Sequence, residues 1–404
     1  MSLLNTSSTD EASDLRPAEF SVVAGGPLYR LWRRTHLSDD MLDLVPRRVV
    51  VAVLLAWLPL LLLSIAQGLA WTGDLALPFI LDVETHLRLL LVVPLLIGAE
   101  LALHRRMPAS VGLFLDRGLI PDPSRARFDA AISSATRLRN SVVAESLMVA
   151  LVYGVGVLVL WRTQMAPDVP SWHGVAVDGK LRPSLAGWWF VLVSLPLFQF
   201  LILRWYYRLF IWVRLLWQVS RIRLRLMPTH PDRCGGLAFL DFVRVAFAPL
   251  VLAHGALLAA MIADRIFFAG AELPEFKVAL IGMVVLMVLV TLGPLLLFSV
   301  QLERVARTGA REYGTLAQRH AREFDQKWLR GGAPADELLV GNPDISSLAD
   351  MGGAFDVVRQ MRSVPFTGKA VLQLVAMTLL PILPLTLTMF SLKELFGQLL
   401  KLVL

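Results

Sequence analysis

Seven long apolar runs, separated by basic connections, dominate the chain. They cover about 49–71, 85–103, 142–161, 187–206, 243–263, 278–300 and 370–391. A helix needs roughly 20 apolar residues to cross a bilayer core, and each run approaches that length. None alternates with a period of two, so none reads as a strand. Lipid cannot satisfy an open backbone, which leaves the helix as the spanning element. The pattern predicts an all-α polytopic membrane protein, a seven-helix transmembrane bundle with a cytoplasmic helical extension. Its expected parts are an N-terminal segment over 1–48, six helices and their loops over 49–300, a cytoplasmic helical loop over 301–369, and a last helix with an amphipathic tail over 370–404.

Composition sharpens this class. Of 404 residues, 56% are hydrophobic and 18% charged, and mean hydropathy is +0.62. Soluble domains sit near 45–50% apolar and about 25% charged, so a disordered chain and an ordinary soluble enzyme are excluded. The single cysteine, Cys234, excludes an intrachain disulfide and an all-cysteine metal site. No cleavable leader is expected, because the first apolar run begins only at Val49.

The net charge of +7 is unevenly placed. Lys and Arg number six before the first run, seven over 104–141, eight over 204–244 and ten over 301–369, leaving eight for the opposite side. Basic loops stay inside, so the N-terminus is expected in the cytoplasm and the C-terminus outside, in a bacterial inner membrane. Such residues fit anionic lipid head groups better than nucleic acid, which is not an expected partner. A homo-oligomer is left open.

Two loops carry structure of their own. Gln301–Arg330 has alternating charges and no proline, and reads as the sixth run continuing as a helix until Gly331-Gly332-Ala333-Pro334. A shorter helix is expected from Ser346 or Ser347 to Ser363, with Ser347 and Asp350 as its capping pair. Phe20–Pro46 suits an interfacial segment, as does the amphipathic tail 391–404.

Candidate chemistry is sparse. On a continuous helix Arg214, Arg221 and Arg225 would share one face, a candidate lipid-binding surface next to Trp212 and Trp217. The turn formers around His230, Asp232, Gly235 and Gly236 predict a rigid structural loop. His230-Pro231-Asp232 matches the tripeptide of J domains, but the soluble helix that a J domain needs upstream is missing. No metal or cofactor site is expected. His254 lies in the middle of the fifth run, with Arg265 eleven residues on. Glu100 and His104 end the second run near the interface, where solvation or pairing with Arg105, Arg106, Arg137 or Arg139 is expected. Thr291 precedes a break at Gly293-Pro294, and Pro381 and Pro384 free carbonyls in the last run. Gln373, Pro381, Pro384, Thr388 and Ser391 fall within one arc of a helix, so that face is expected to meet protein or water.

These features suggest a channel or transporter whose pathway uses His254, Arg265, Thr291, Gln373, Pro381, Pro384 and Thr388. The alternative is a non-transporting scaffold or accessory subunit that docks a cytoplasmic partner. An enzyme is disfavoured, since no nucleophile–base pair is visible. The topology alone is similar to that of insect odorant receptor channels, although the last run lacks the tyrosine of their signature.

Overall fold

A computed structural model describes residues 20–23, 25, 44–71, 75, 77–157, 171–177 and 180–389. Their apolar runs fold as helices, six of them long and apolar enough to cross a membrane. These are α1 (Val45–Ala66), α2 (Val83–Asp116), α5 (Leu185–Ser220), α6 (Ala248–Ala269), α7 (Leu273–Leu329) and α9 (Gly368–Met389). The chain is a membrane protein. Among the described residues, three further helices of ten or more residues are α3 (Arg125–Arg139), α4 (Val142–Gly154) and α8 (Pro343–Arg359). A small antiparallel hairpin, β1 (Gly174–Val177) with β2 (Lys180–Pro183), precedes α5.

Among the described residues the third apolar run, 142–161, is the short α4, and the end of that run lies outside them. The same is true of residues 1–19, most of the predicted interfacial segment and the tail 391–404.

The helices gather into a bundle with two distinct ends. At one end, residues between α1 and α2 meet the β-hairpin. Leu77 bridges Ser171, and the Trp172 indole donates to Asp82 at 2.8 Å. Glu84 N–H there donates to Asp264 near the end of α6 at 3.3 Å. At the other end, Tyr207 on α5 donates to the Leu138 carbonyl of α3 at 2.7 Å, and Arg214 donates to Ser134 at 2.7 Å. We call these the hairpin end and the basic end.

Most helices overrun their apolar stretches at the basic end. α7 is 57 residues, roughly 85 Å at 1.5 Å per residue, so it projects far beyond any bilayer core. Gly331, with φ +78°, lies just past its end. α8 folds back against the projection, its Phe355 ring packing on Gly314 and Ser347 bonding His320 at 3.1 Å. Asn342 caps α8 and Pro343 opens it, so the helix starts before Ser346 and without the predicted Ser347–Asp350 pair. An asparagine cap followed by proline at the first helical position is a strong start signal. Ser347 instead donates to the Asp344 carbonyl at 2.9 Å.

Candidate functional site

The most unusual side-chain cluster is ionic and buried among α1, α2 and α5. Glu100 is 1% exposed. Its Oε2 accepts from Arg48 of α1 at 2.8 Å. Its Oε1 accepts from Arg208 of α5 at 2.7 Å and meets Arg204 at 3.4 Å. Arg204 and Arg208 are one turn apart, so both reach across to the same carboxylate. Arg208 also lies over the Trp205 ring, whose indole donates to the Leu96 carbonyl at 2.9 Å. One carboxylate thus fastens three helices. The expected partners Arg105, Arg106, Arg137 and Arg139 are not the ones that meet Glu100. Helix packing won over sequence proximity, because the facing stripe of α5 brings two guanidiniums to the depth of Glu100.

The stretch Phe20–Val23 covers this cluster from the basic end and is itself buried. Ser21 bonds His104 at 2.9 Å, and Arg139 donates to the Ser21 carbonyl at 2.7 Å. Gly25, at φ +141°, passes so close to Arg139 and Asn140 that any side chain would collide with them.

His254 of α6 is buried and fully bonded. Its Nδ1 faces the Leu250 carbonyl at 2.8 Å, an acceptor only, so Nδ1 carries the proton. Nε2 then accepts from the Tyr206 hydroxyl at 2.7 Å. This is a neutral imidazole tying α6 to α5. Arg265 is exposed and stands apart from it.

Of the described residues on the predicted face of the last helix, only Pro381 meets α6, beside Gly255. Gln373, Pro384 and Thr388 are exposed, Pro381 is half-buried, and the side turned inward is Leu374, Thr378, Ile382 and Leu385. Gln373 is held by Arg244. Residues Leu380–Met389 wind as a 3₁₀ helix. Its period of three places Pro381 and Pro384 above each other. Thr386 and Thr388 donate to the carbonyls of Leu383 and Leu385 at 2.6 and 2.7 Å. These hydroxyls meet carbonyls of the last turns, whereas the N–H groups missing at Pro381 and Pro384 free, in a 3₁₀ repeat, the carbonyls of Thr378 and Pro381. The break near Thr291 is likewise a 3₁₀ turn, Gly293–Phe298, and Thr291 is buried beside it.

On the inward side the contact is closed. A methyl group at Gly255 of α6 would stand 2.2 Å from the Thr378 carbonyl oxygen of α9. Backbone touches backbone there, as small residues allow between membrane helices.

The loop at the basic end is tightly organised. Asp232 accepts from the N–H groups of Cys234, Gly236 and Ala238 at 2.8, 3.1 and 3.1 Å. Although partial burial opposes ionisation, these backbone bonds hold the Asp232 carboxyl below the usual carboxylate range. Gly235 and Gly236 take φ of +62° and +98°, which favours glycine. His230 sits beside Asp232, 2.9 Å from Oδ1. Arg117 donates to the Gly236 carbonyl at 2.9 Å and Arg362 to the Asp232 carbonyl at 3.0 Å, tying the loop to α2 and to the end of α8. Burial pushes the Cys234 thiol up to about 12, which makes it unreactive.

The three candidate lipid arginines do not share a face. α5 stops at Ser220 with Arg221 as its cap in a turn, and Arg225 lies on the irregular segment beyond. Arg214 is turned to Ser134, Arg225 faces Asp122 at 3.9 Å, and Arg221 lies over the Trp217 ring. Among the described residues no group of three or more His, Cys, Asp or Glu could hold a metal ion.

No protein-family model, curated protein or solved structure matches this chain. Function is therefore argued from the geometry alone.

Proposed function

We propose that this chain is a non-transporting membrane scaffold or accessory subunit, with its basic end in the cytoplasm of a bacterial cell and its α7–α8 hairpin docking a partner. One observation carries the reading: at Gly255 and Thr378 the backbones of α6 and α9 touch, which leaves no gap between two of the three helices, α6, α7 and α9, near which a pathway was expected. Around it the buried side of α9 is mostly apolar. The projecting hairpin meanwhile offers apolar side chains at its tip, with Leu338 78% and Val340 89% exposed. Exposed apolar clusters of this kind mark interaction surfaces.

A seventh crossing fits the same reading. Leu138 sits at the basic end against Tyr207, while Ser171 sits at the hairpin end against Leu77. Tyr153 of α4 donates to the Leu192 carbonyl of α5 at 3.2 Å, part of the way between. A single crossing between these two positions is part of the proposal, and it supports N- and C-termini on opposite sides.

A second reading has one observation in its favour. Gln373 and Thr388 face outward from the protomer, so a channel or transporter pathway would lie between copies of a homo-oligomer.

Cysteine reactivity tests the proposal. With Cys234 silent, Thr378→Cys in the folded protein should resist a small water-soluble thiol reagent. Rapid reaction there would mean that water reaches the inner side of α9, and would overturn the closed bundle.

A further inference from the structure

Beyond α5 the chain leaves the helix and runs alongside α7. Gln301 clamps this segment, donating to the carbonyls of Ser220 and Ile222 at 2.6 and 2.9 Å and accepting from Leu224 N–H at 3.3 Å. The clamp holds the segment off the helix on one side and leaves a cavity of about 730 Å³ between them. That volume lies within the range of small-molecule sites, roughly 300–1,000 Å³.

The lining has two characters. Arg221, Arg223 and Arg304 bring three positive charges against the single carboxylate of Glu312. All three arginines are exposed, and Arg221 is steadied by the Trp217 ring 5.3 Å away. Leu297 and Val300 belong to the apolar part, together with Ile222, Leu224 and Val305. Val300 continues a lane of exposed apolar side chains along the membrane stretch of α7, through Leu296, Leu289 and Ile281 to Val278, which is 75% exposed. The cavity is cationic where α7 leaves the apolar stretch and greasy where it enters it.

We propose that this cavity binds one anionic glycerophospholipid, its phosphate held by Arg221 and Arg304 and its acyl chains laid along the Val300 lane. Charge complementarity and continuity with the lipid-facing side of α7 select this occupant. Guanidinium pairs with phosphate oxygens through a planar fork, and the neighbouring indole suits the head-group level. Arg214 and Arg225 take no part, since they are turned to Ser134 and Asp122. The assignment stands whether or not the protein transports anything.

Native mass spectrometry of the full chain in detergent tests it. Phosphatidylglycerol and phosphatidylcholine of identical acyl chains are titrated separately, with inorganic phosphate as a competitor. The first phosphatidylglycerol should bind about tenfold more tightly than phosphatidylcholine. Arg221→Gln with Arg304→Gln should abolish that preference, while Arg225→Gln keeps it. Val300→Glu should weaken both lipids by placing a charge in the acyl lane. Inorganic phosphate should not displace the lipid, and displacement would mean a free-anion site instead. Equal binding of the two lipids, or an undiminished preference in the double arginine variant, would overturn the proposal. These arginines are exposed, so a melting curve matching the native protein shows that any loss is not misfolding.

Discussion

The carboxylate of Glu100 and the guanidinium of Arg208 meet at 2.7 Å, with both side chains almost wholly excluded from solvent. Arg48 and Arg204 complete the set, so three cations from two helices converge on one anion. An ionic group within a membrane helix is costly unless paired, and this pairing is concentrated on a single residue.

Removal of that residue should therefore unravel more than one contact. Glu100→Gln leaves three buried guanidiniums without their carboxylate, and breaking a buried pair costs about 3–5 kcal/mol. A marked drop in thermal midpoint is expected in detergent or nanodiscs. Glu323→Gln, which removes an exposed partner of Arg319 at 3.8 Å, should change stability by less than about 0.5 kcal/mol. Similar midpoints for both variants would show that the cluster is not a fastening point.

Gly255→Ala probes the α6–α9 contact. The added methyl would sit 2.2 Å from a backbone oxygen, which cannot rotate away. Overpacking of this kind typically costs about 1–3 kcal/mol. Gly282→Ala on α7 has open space around it and should not lower the thermal midpoint. Equal tolerance at both positions would mean that α6 and α9 are not in close contact.

Acid should loosen the hairpin end. His173 stacks on Trp172 at 3.8 Å and meets Phe190 edge-on at 5.0 Å. Burial draws its pKa down from 6.5 to about 4, with Asp82 acting against the shift and Arg88 adding to it. The unfolded chain then binds more protons than the folded one between those values. The contribution of this group is intact above pH 6.5 and is lost as pH falls toward 4. Thermal midpoints measured across this window should decline, and His173→Gln should flatten that decline. An unchanged slope in the variant would remove His173 as the cause.

The sequence carried the membrane class and the elements with strong local signals. The apolar runs gave six spanning helices, and the charge pattern of Gln301–Arg330 anticipated the projection of α7. Glycines and Asp232 marked a turn-rich loop because their constraints are local. The Glu100 cluster was hidden, since Arg48 and Arg204 lie 52 and 104 residues from it and only packing unites them. The end of α5 at Ser220 was missed as well, because Arg221–Arg225 has no breaker residue and is pulled out of the helix by Gln301. Pro381 and Pro384 marked a break in the last run but not the repeat that the chain takes there. The 3₁₀ winding moves the freed carbonyls to Thr378 and Pro381, the first of them packed against Gly255 of α6, and no periodicity in the sequence announces that winding.

Flux across a sealed membrane decides most directly whether the chain is a scaffold or a conductor. The full chain is reconstituted into proteoliposomes loaded with K⁺, Na⁺, Cl⁻ or a pH-sensitive dye, and release is followed after a gradient is imposed. Closed packing of α6 on α9 predicts traces that overlay those of protein-free vesicles for every ion. A protein-dependent flux that Gly255→Ala or Gln373→Ala alters would contradict the account and place a pathway at α9.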